Sequence, residues 1–200
     1  MRKKIAVLIS GTGTNLRSIL EHIYLPQGLL NDLCEVVVVI GDRPEASPGL
    51  QIARSFNINY RSIERKLLKS KRQFEEEIIE TINYFTAGKG VDYIVLAGFM
   101  SILSAEFVQK YCGKIINIHP ADTKDYQGPA GYEWAYRNKL QETKITVHLV
   151  DEGVDSGPIL AQQSVDLRGI NNLEELKARG KSVEHLLYPK VLAQILTEES

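Results

Sequence analysis

Apolar residues along this chain follow two rhythms. The unbroken runs KKIAVLIS, CEVVVVIG, VDYIVLAGFM and KIINIHP have the β-branched density of strands buried on both faces. Between them the spacing lengthens to that of helices. Ile19, Leu20 and Ile23 recur through RSILEHIY, and DRPEASPGLQIARSF reads as a turn leading into a helix. INYRSI is a short strand. From Ser70 to Phe85, the residues Phe74, Ile78, Ile82 and Phe85 mark one helix face, while Glu75, Glu76, Glu77 and Glu80 line much of the rest. A further short helix is expected from Ala105 to Tyr111.

Strands alternating with helices imply parallel βαβ units, hence a Rossmann-like, mostly parallel α/β sheet with helices on both faces. After Pro120 the texture changes. ADTKDYQGPAGYEWAY is polar and turn-rich, and TKITVHLV and ILAQQSVDL then form a strand pair with no helix between them. The chain closes on a helical stretch from Leu173 to Leu196, punctuated by Gly180 and Pro189. The second part of the fold is therefore mixed. We expect residues 1–200 to be one domain, with a phosphate-binding half (about 1–100) and a catalytic half (about 101–200).

Composition removes several function classes. A net charge of −1 gives no basic field to recruit nucleic acid. No run approaches the ~18 apolar residues of a membrane span, and the basic-then-apolar MRKKIAVLIS is too short for a signal peptide and passes straight into GTGTNL. Cys34 and Cys112 have no metal-type spacing, which fits a reduced, cytoplasmic protein.

Two segments carry chemistry. In SGTGTNL, Gly11 and Gly13 allow a tight turn that exposes peptide N–H groups at a helix start, where the dipole favours a phosphate. Thr12, Thr14 and Asn15 add donors or caps. Leu16 stands where the dinucleotide fingerprint wants its third glycine, and no Gly-Lys-Ser/Thr follows, so a small phosphorylated molecule fits better than NAD. A plain turn and an anion site remain equally open on this loop alone.

The second segment is IINIHP with VHLVDEGVDSG. Alternation puts Asn117 and His119 on one strand face, opposite Ile116 and Ile118; Thr146 and His148 likewise oppose Ile145, Val147 and Leu149. If these strands are neighbours, Asn117, His119, His148 and Asp155 converge. An amide donates to a developing oxyanion without titrating, and an imidazole beside a carboxylate has its protonated form favoured. The carboxylate can also relay a proton from an attacking amine to a leaving nitrogen. Zinc bound by His119, His148 and Asp155 is the rival use, without the spacing that zinc sites show; no metal is expected.

VLISGTGTNL, DYIVLAGFMSIL, GKIINIHP, ITVHLVDEGVDSGPILAQ and VEHLLYP, in this order over nearly the whole chain, resemble the folate-dependent formyltransferase family in its phosphoribosylglycinamide branch. The resemblance implies the formyltransferase fold and transfer of a formyl group from the cosubstrate 10-formyltetrahydrofolate to the amine of 5-phosphoribosylglycinamide, a step of purine synthesis. It assigns catalysis to Asn117, His119 and Asp155. Gly13, Thr14 and Asn15 would hold the acceptor's phosphate, and Glu184, with Lys181, Ser182 and Val183 nearby, its glycinamide end. Met100, Ser101, Ile102 and Leu103, with Asn117 and with Asp151, Glu152, Gly153, Val154 and Asp155, would bind the pterin, walled by Leu96, Phe99, Ile102 and Val108. Lys71 would lie near the folate.

The chain departs from the family pattern twice. After NIHP the family usually continues Ser-Leu-Leu-Pro, whereas here Ala121 opens the charged ADTKDYQGPAG; and Ser101 replaces a common Arg. The first departure bears on the acceptor amine or on a movable loop over it. Alternatives within the same chemistry are another amine acceptor or hydrolysis of formylfolate; outside it stands a non-catalytic phosphate- or nucleotide-binding module.

Overall fold

The computed structural model describes residues 2–198. Seven strands, β1 (Lys3–Ile9), β2 (Cys34–Gly41), β3 (Tyr60–Ser62), β4 (Tyr93–Leu96), β5 (Ile115–His119), β6 (Glu142–Leu149) and β7 (Ile159–Asp166), form one sheet in the order β3-β2-β1-β4-β5-β6-β7. β1 to β5 pair in parallel, while β6 runs antiparallel to both β5 and β7. The chain moves outward from β1 through β2 to β3, then returns to place β4 on the other side of β1. The carboxyl ends of β1 and β4 thus flank the point where strand order reverses, which in open α/β sheets opens a crevice for ligands.

Helices α1 (Thr14–Tyr24), α2 (Pro48–Ser55), α5 (Gly131–Arg137) and α6 (Leu173–Glu198) cover one face; α3 (Lys71–Thr86) and α4 (Ala105–Lys110) cover the other. Alternation along β1 sends Ile5, Val7 and Ile9 to the first layer and Ala6 and Leu8 to the second. In β2 a bulge opposite Ile5 and Ala6 interrupts the alternation, so Val37 and Val38 face the same layer. This is how four consecutive valines are all buried.

Two features differ from the sequence expectation. The segment read as turn-rich contains α5, whose Tyr132 and Ala135 join the core. Helix α6 runs unbroken through Gly180 and Pro189. Pro189 has no N–H to offer the carbonyl of His185, and the Ser18 hydroxyl of α1 donates to that carbonyl at 2.8 Å instead. Gly180 leaves the space that the ring of Tyr132 fills. Among the described residues, no helix is long and apolar enough to cross a membrane.

Candidate active site

At the head of α1, Gly13 has φ +74°, a left-handed conformation that costs a side chain about 1 kcal/mol or more. A Cβ there would also lie 2.7 Å from the Cα of Gly49 in α2. No side chain caps this helix start, so its amide groups stay available. Asn15 turns inward instead. Its Nδ2 donates to Glu184 Oε2 at 2.5 Å, and the Tyr132 hydroxyl donates to Glu184 Oε1. Glu184 is therefore a buried carboxylate with both oxygens engaged. Burial and the Glu184 charge push the Tyr132 hydroxyl well above the ordinary tyrosine range. Asn15 Oδ1 is buried without a hydrogen-bond partner among the described residues.

The polar strand faces meet as the alternation required. β5 pairs with β6 so that Asn117 lies opposite His148 and His119 opposite Thr146. The loop after β6 then brings Asp155 back over them, at φ +50°. Asn117 Nδ2 donates to Asp155 Oδ1 at 3.2 Å and lies 3.2 Å from His148 Nε2, which is itself 3.5 Å from Asp155 Oδ1. His148 Nδ1 faces the Leu149 carbonyl at 2.8 Å, which fixes the ring. His119 Nδ1 is 3.3 Å from Asp155 Oδ2, and its Nε2 is 3.2 Å from the Tyr126 carbonyl. The Gly128 N–H donates to Asp155 Oδ2 at 2.9 Å.

Charges in this cluster oppose burial. Desolvation penalises the Asp155 carboxylate, but His148, the His119 charge and the Gly128 N–H together outweigh it and hold the carboxyl below its ordinary value. For His119 the balance is the reverse of the sequence expectation. Asp155 does pull its pKa up, as does the Tyr126 carbonyl, but burial is the larger effect and the net shift is downward. Yet both ring nitrogens face oxygens that only accept, an arrangement suited to the imidazolium.

These groups line one end of a cavity of about 240 Å³. Leu96, Phe99 and Val108 contribute apolar wall, and Met100, Ser101, Ile102 and Leu103 another side; Asp151, Gly153 and Val154 come from the returning loop. Met100 and Ile102 stand 63% and 66% exposed at its rim. The rim loop is bolted from beneath. Ser10 Oγ accepts the Met100 N–H at 2.7 Å, Asp42 Oδ2 accepts the hydroxyls of Ser10 and Ser101 at 2.8 Å each, and buried Glu75 takes the N–H and hydroxyl of Ser104.

Other expected site residues do not line this cavity. Lys71 opens α3 and Glu152 turns to Gln109 of α4. Lys181, Ser182 and Val183 sit on α6, with Val183 packed on the core and Ser182 bonded to the Ala178 carbonyl. Tyr126, Gly128 and Tyr132 touch His119, Asp155 and Glu184, yet nothing in their local sequence singled them out. Among the described residues, no group of three or more His, Cys, Asp or Glu is arranged to hold a metal ion.

A model of the family described as formyl transferase matches residues 3–192. The chain belongs to the formyl transferase family. Within that family it is 34% identical over 194 residues to a phosphoribosylglycinamide formyltransferase of Bacillus subtilis, covering 97% of this chain and 95% of that protein. It is 36% identical over 191 residues to the trifunctional purine biosynthetic protein adenosine-3 of Bos taurus, covering 96% of this chain but only 18% of that much longer protein. Among formyl transferase structures, that of the phosphoribosylglycinamide formyltransferase from Bacillus halodurans superposes with TM-score 0.88 at 32% identity, covering 99% of this chain and 97% of the other. Glycinamide ribonucleotide transformylase 1 from Geobacillus kaustophilus gives 0.89 at 34%, covering 98% and 100%.

Proposed function

We propose that the protein transfers a formyl group from 10-formyltetrahydrofolate to the amine of 5-phosphoribosylglycinamide, as one catalytic unit of purine biosynthesis in the cytoplasm. The observation that carries this reading is that Asn117 and His119 each come within 3.3 Å of Asp155 at the end of a largely apolar cavity. Membership of the formyl transferase family and near-complete overlap with phosphoribosylglycinamide formyltransferases support it.

The donor's pterin enters the cavity against the Met100–Leu103 rim, and the acceptor's phosphate lies on the uncapped amides of Gly13, Thr14 and Asn15. The acceptor nitrogen attacks the formyl carbon, and the carbonyl π pair moves onto oxygen. Asn117 and protonated His119 donate to that oxyanion, for which each must release a present partner. Asp155 assists removal of the proton from the attacking nitrogen and its delivery to the leaving nitrogen of the folate. The oxyanion pair returns as the carbon–nitrogen bond to folate breaks.

Deformylation of 10-formyltetrahydrofolate is to be followed with 5-phosphoribosylglycinamide, with a panel of other amines and with none. Turnover is expected only with the phosphoribosylglycinamide, and to fall about 10²- to 10⁴-fold in His119→Ala with circular dichroism unchanged. Turnover without an acceptor would make the protein a hydrolase, turnover with a different amine would replace the acceptor, and a fully active His119→Ala would remove the mechanism.

A further inference from the structure

We infer that Asp122 is the positioning residue of this site, a buried strut that ties the loop after β5 to β6 and β7 and thereby places the partners of His119 and Asp155. The inference deepens the reading above and rests on it for its catalytic consequence. Asp122 lies in the stretch where the chain leaves the family pattern, a stretch whose charge gives the impression of a solvated loop. The structure instead buries Ala121, Asp122 and Thr123.

The Asp122 carboxylate is held from three directions. Lys144 of β6 donates to Oδ2 at 2.7 Å, Gln162 of β7 donates to Oδ1 at 3.0 Å, and the Lys124 N–H donates to Oδ1 at 3.1 Å. Gln162 Nε2 also reaches Thr146 Oγ1 at 2.9 Å, whose hydroxyl donates to the Ala121 carbonyl at 2.7 Å. One network thus joins two strands to two successive residues of the loop. The Asp122 carbonyl accepts the N–H groups of Asp125 and Tyr126 at 3.0 and 2.9 Å, winding the loop into a turn whose start is fixed.

What that turn delivers is specific. Its last residue, Tyr126, presents its carbonyl to His119 Nε2. The Tyr126 ring lies 6.3 Å from the His119 ring and 4.8 Å from that of Trp134. Two residues on, the Gly128 N–H meets Asp155 Oδ2. The carbonyl on His119 and the amide on Asp155 therefore come from one short segment, and its anchor is a carboxylate that touches neither. An ion pair at the surface is worth little, but Asp122 is buried with every bond made, so removing it leaves several donors unpaired at once.

The test reads His119 directly. Imidazole ¹⁵N–¹H correlations of the full-length protein, without ligand, are to be followed against pH in wild type, Asp122→Ala, Asp122→Asn and Lys144→Gln. Asp155 and His148 also face the cluster, so the same titration in Asp155→Asn calibrates their share. Releasing the turn removes the Tyr126 carbonyl, which favours the imidazolium, but it also uncovers the ring, whose burial is the larger effect, so the His119 midpoint is expected to rise in Asp122→Ala. Asp122→Asn keeps the Gln162 and Lys124 bonds and is expected in between. Emission of Trp134, the only tryptophan, should change in the same order.

In turnover, kcat is expected to drop about 10- to 100-fold, with KM for the acceptor within about twofold. Should Asp122→Ala fail to fold, Lys144→Gln, at a partly exposed position, carries the comparison with a smaller shift in the same direction. A His119 midpoint equal to wild type in the folded variants overturns the inference whatever kcat does. If wild type shows no formyl transfer at all, the function reading fails, while the ligand-free titration still decides the strut.

Discussion

His119 shows how one residue can be favoured and penalised by the same fold. Its two nitrogens face Asp155 and the Tyr126 carbonyl, both acceptors, but its burial lowers its pKa below the ordinary 6.5. The folded state therefore prefers the neutral ring more than the unfolded chain does. It follows that this residue's contribution to stability is complete above about pH 6.5 and is lost as pH falls through the lower folded value. Urea unfolding midpoints compared between pH 7.5 and 5 should decline less in His119→Gln than in wild type; equal declines would show that the ring titrates as it does in the unfolded chain. The position of His119 on the same strand face as Asn117 was legible from alternation alone. Its net pKa direction was not, because the ring is covered by Tyr126, which reaches it through a turn that no periodicity encodes.

At the scale of elements, the long runs and the helical spacings of the first hundred residues were readable because burial on both sheet faces forces β-branched runs. Helix α5 was not. It has seven residues, follows Gly128-Pro129-Ala130 and begins on a glycine, and is rich in aromatics that favour helices weakly. It exists because Tyr132 and Ala135 are buried against α6. The intact course of α6 has a similar tertiary cause, since Ser18 of α1 accepts the task that the N–H of residue 189 would otherwise perform. Ser18→Ala should therefore cost about 1–2 kcal/mol, seen as a lower urea midpoint at unchanged slope. No loss would mean that water replaces the hydroxyl. Glu184 belongs here too: a carboxylate on a helix is ordinarily solvated, and Asn15, 169 positions away, together with Tyr132 of α5 makes its burial tolerable.

Across the whole molecule, the strand order brings separate stretches of chain to one edge. The glycine loop after β1 and the rim loop after β4 are joined by the bond from Met100 N–H to Ser10 Oγ, and β5 and β6 add the polar pair beside them. A sequence displays each of these stretches but not their adjacency, which is a property of the returning crossover through α3. The same assembly leaves Met100 and Ile102 exposed at the rim of the cavity. Under the proposed function, the donor's flat pterin would cover those two apolar side chains and release water from them. Calorimetric titration with a non-reactive folate analogue at several temperatures should accordingly give a binding enthalpy that grows more negative on warming. Met100→Ser with Ile102→Ser should flatten that slope; an unaltered slope would place the ring elsewhere.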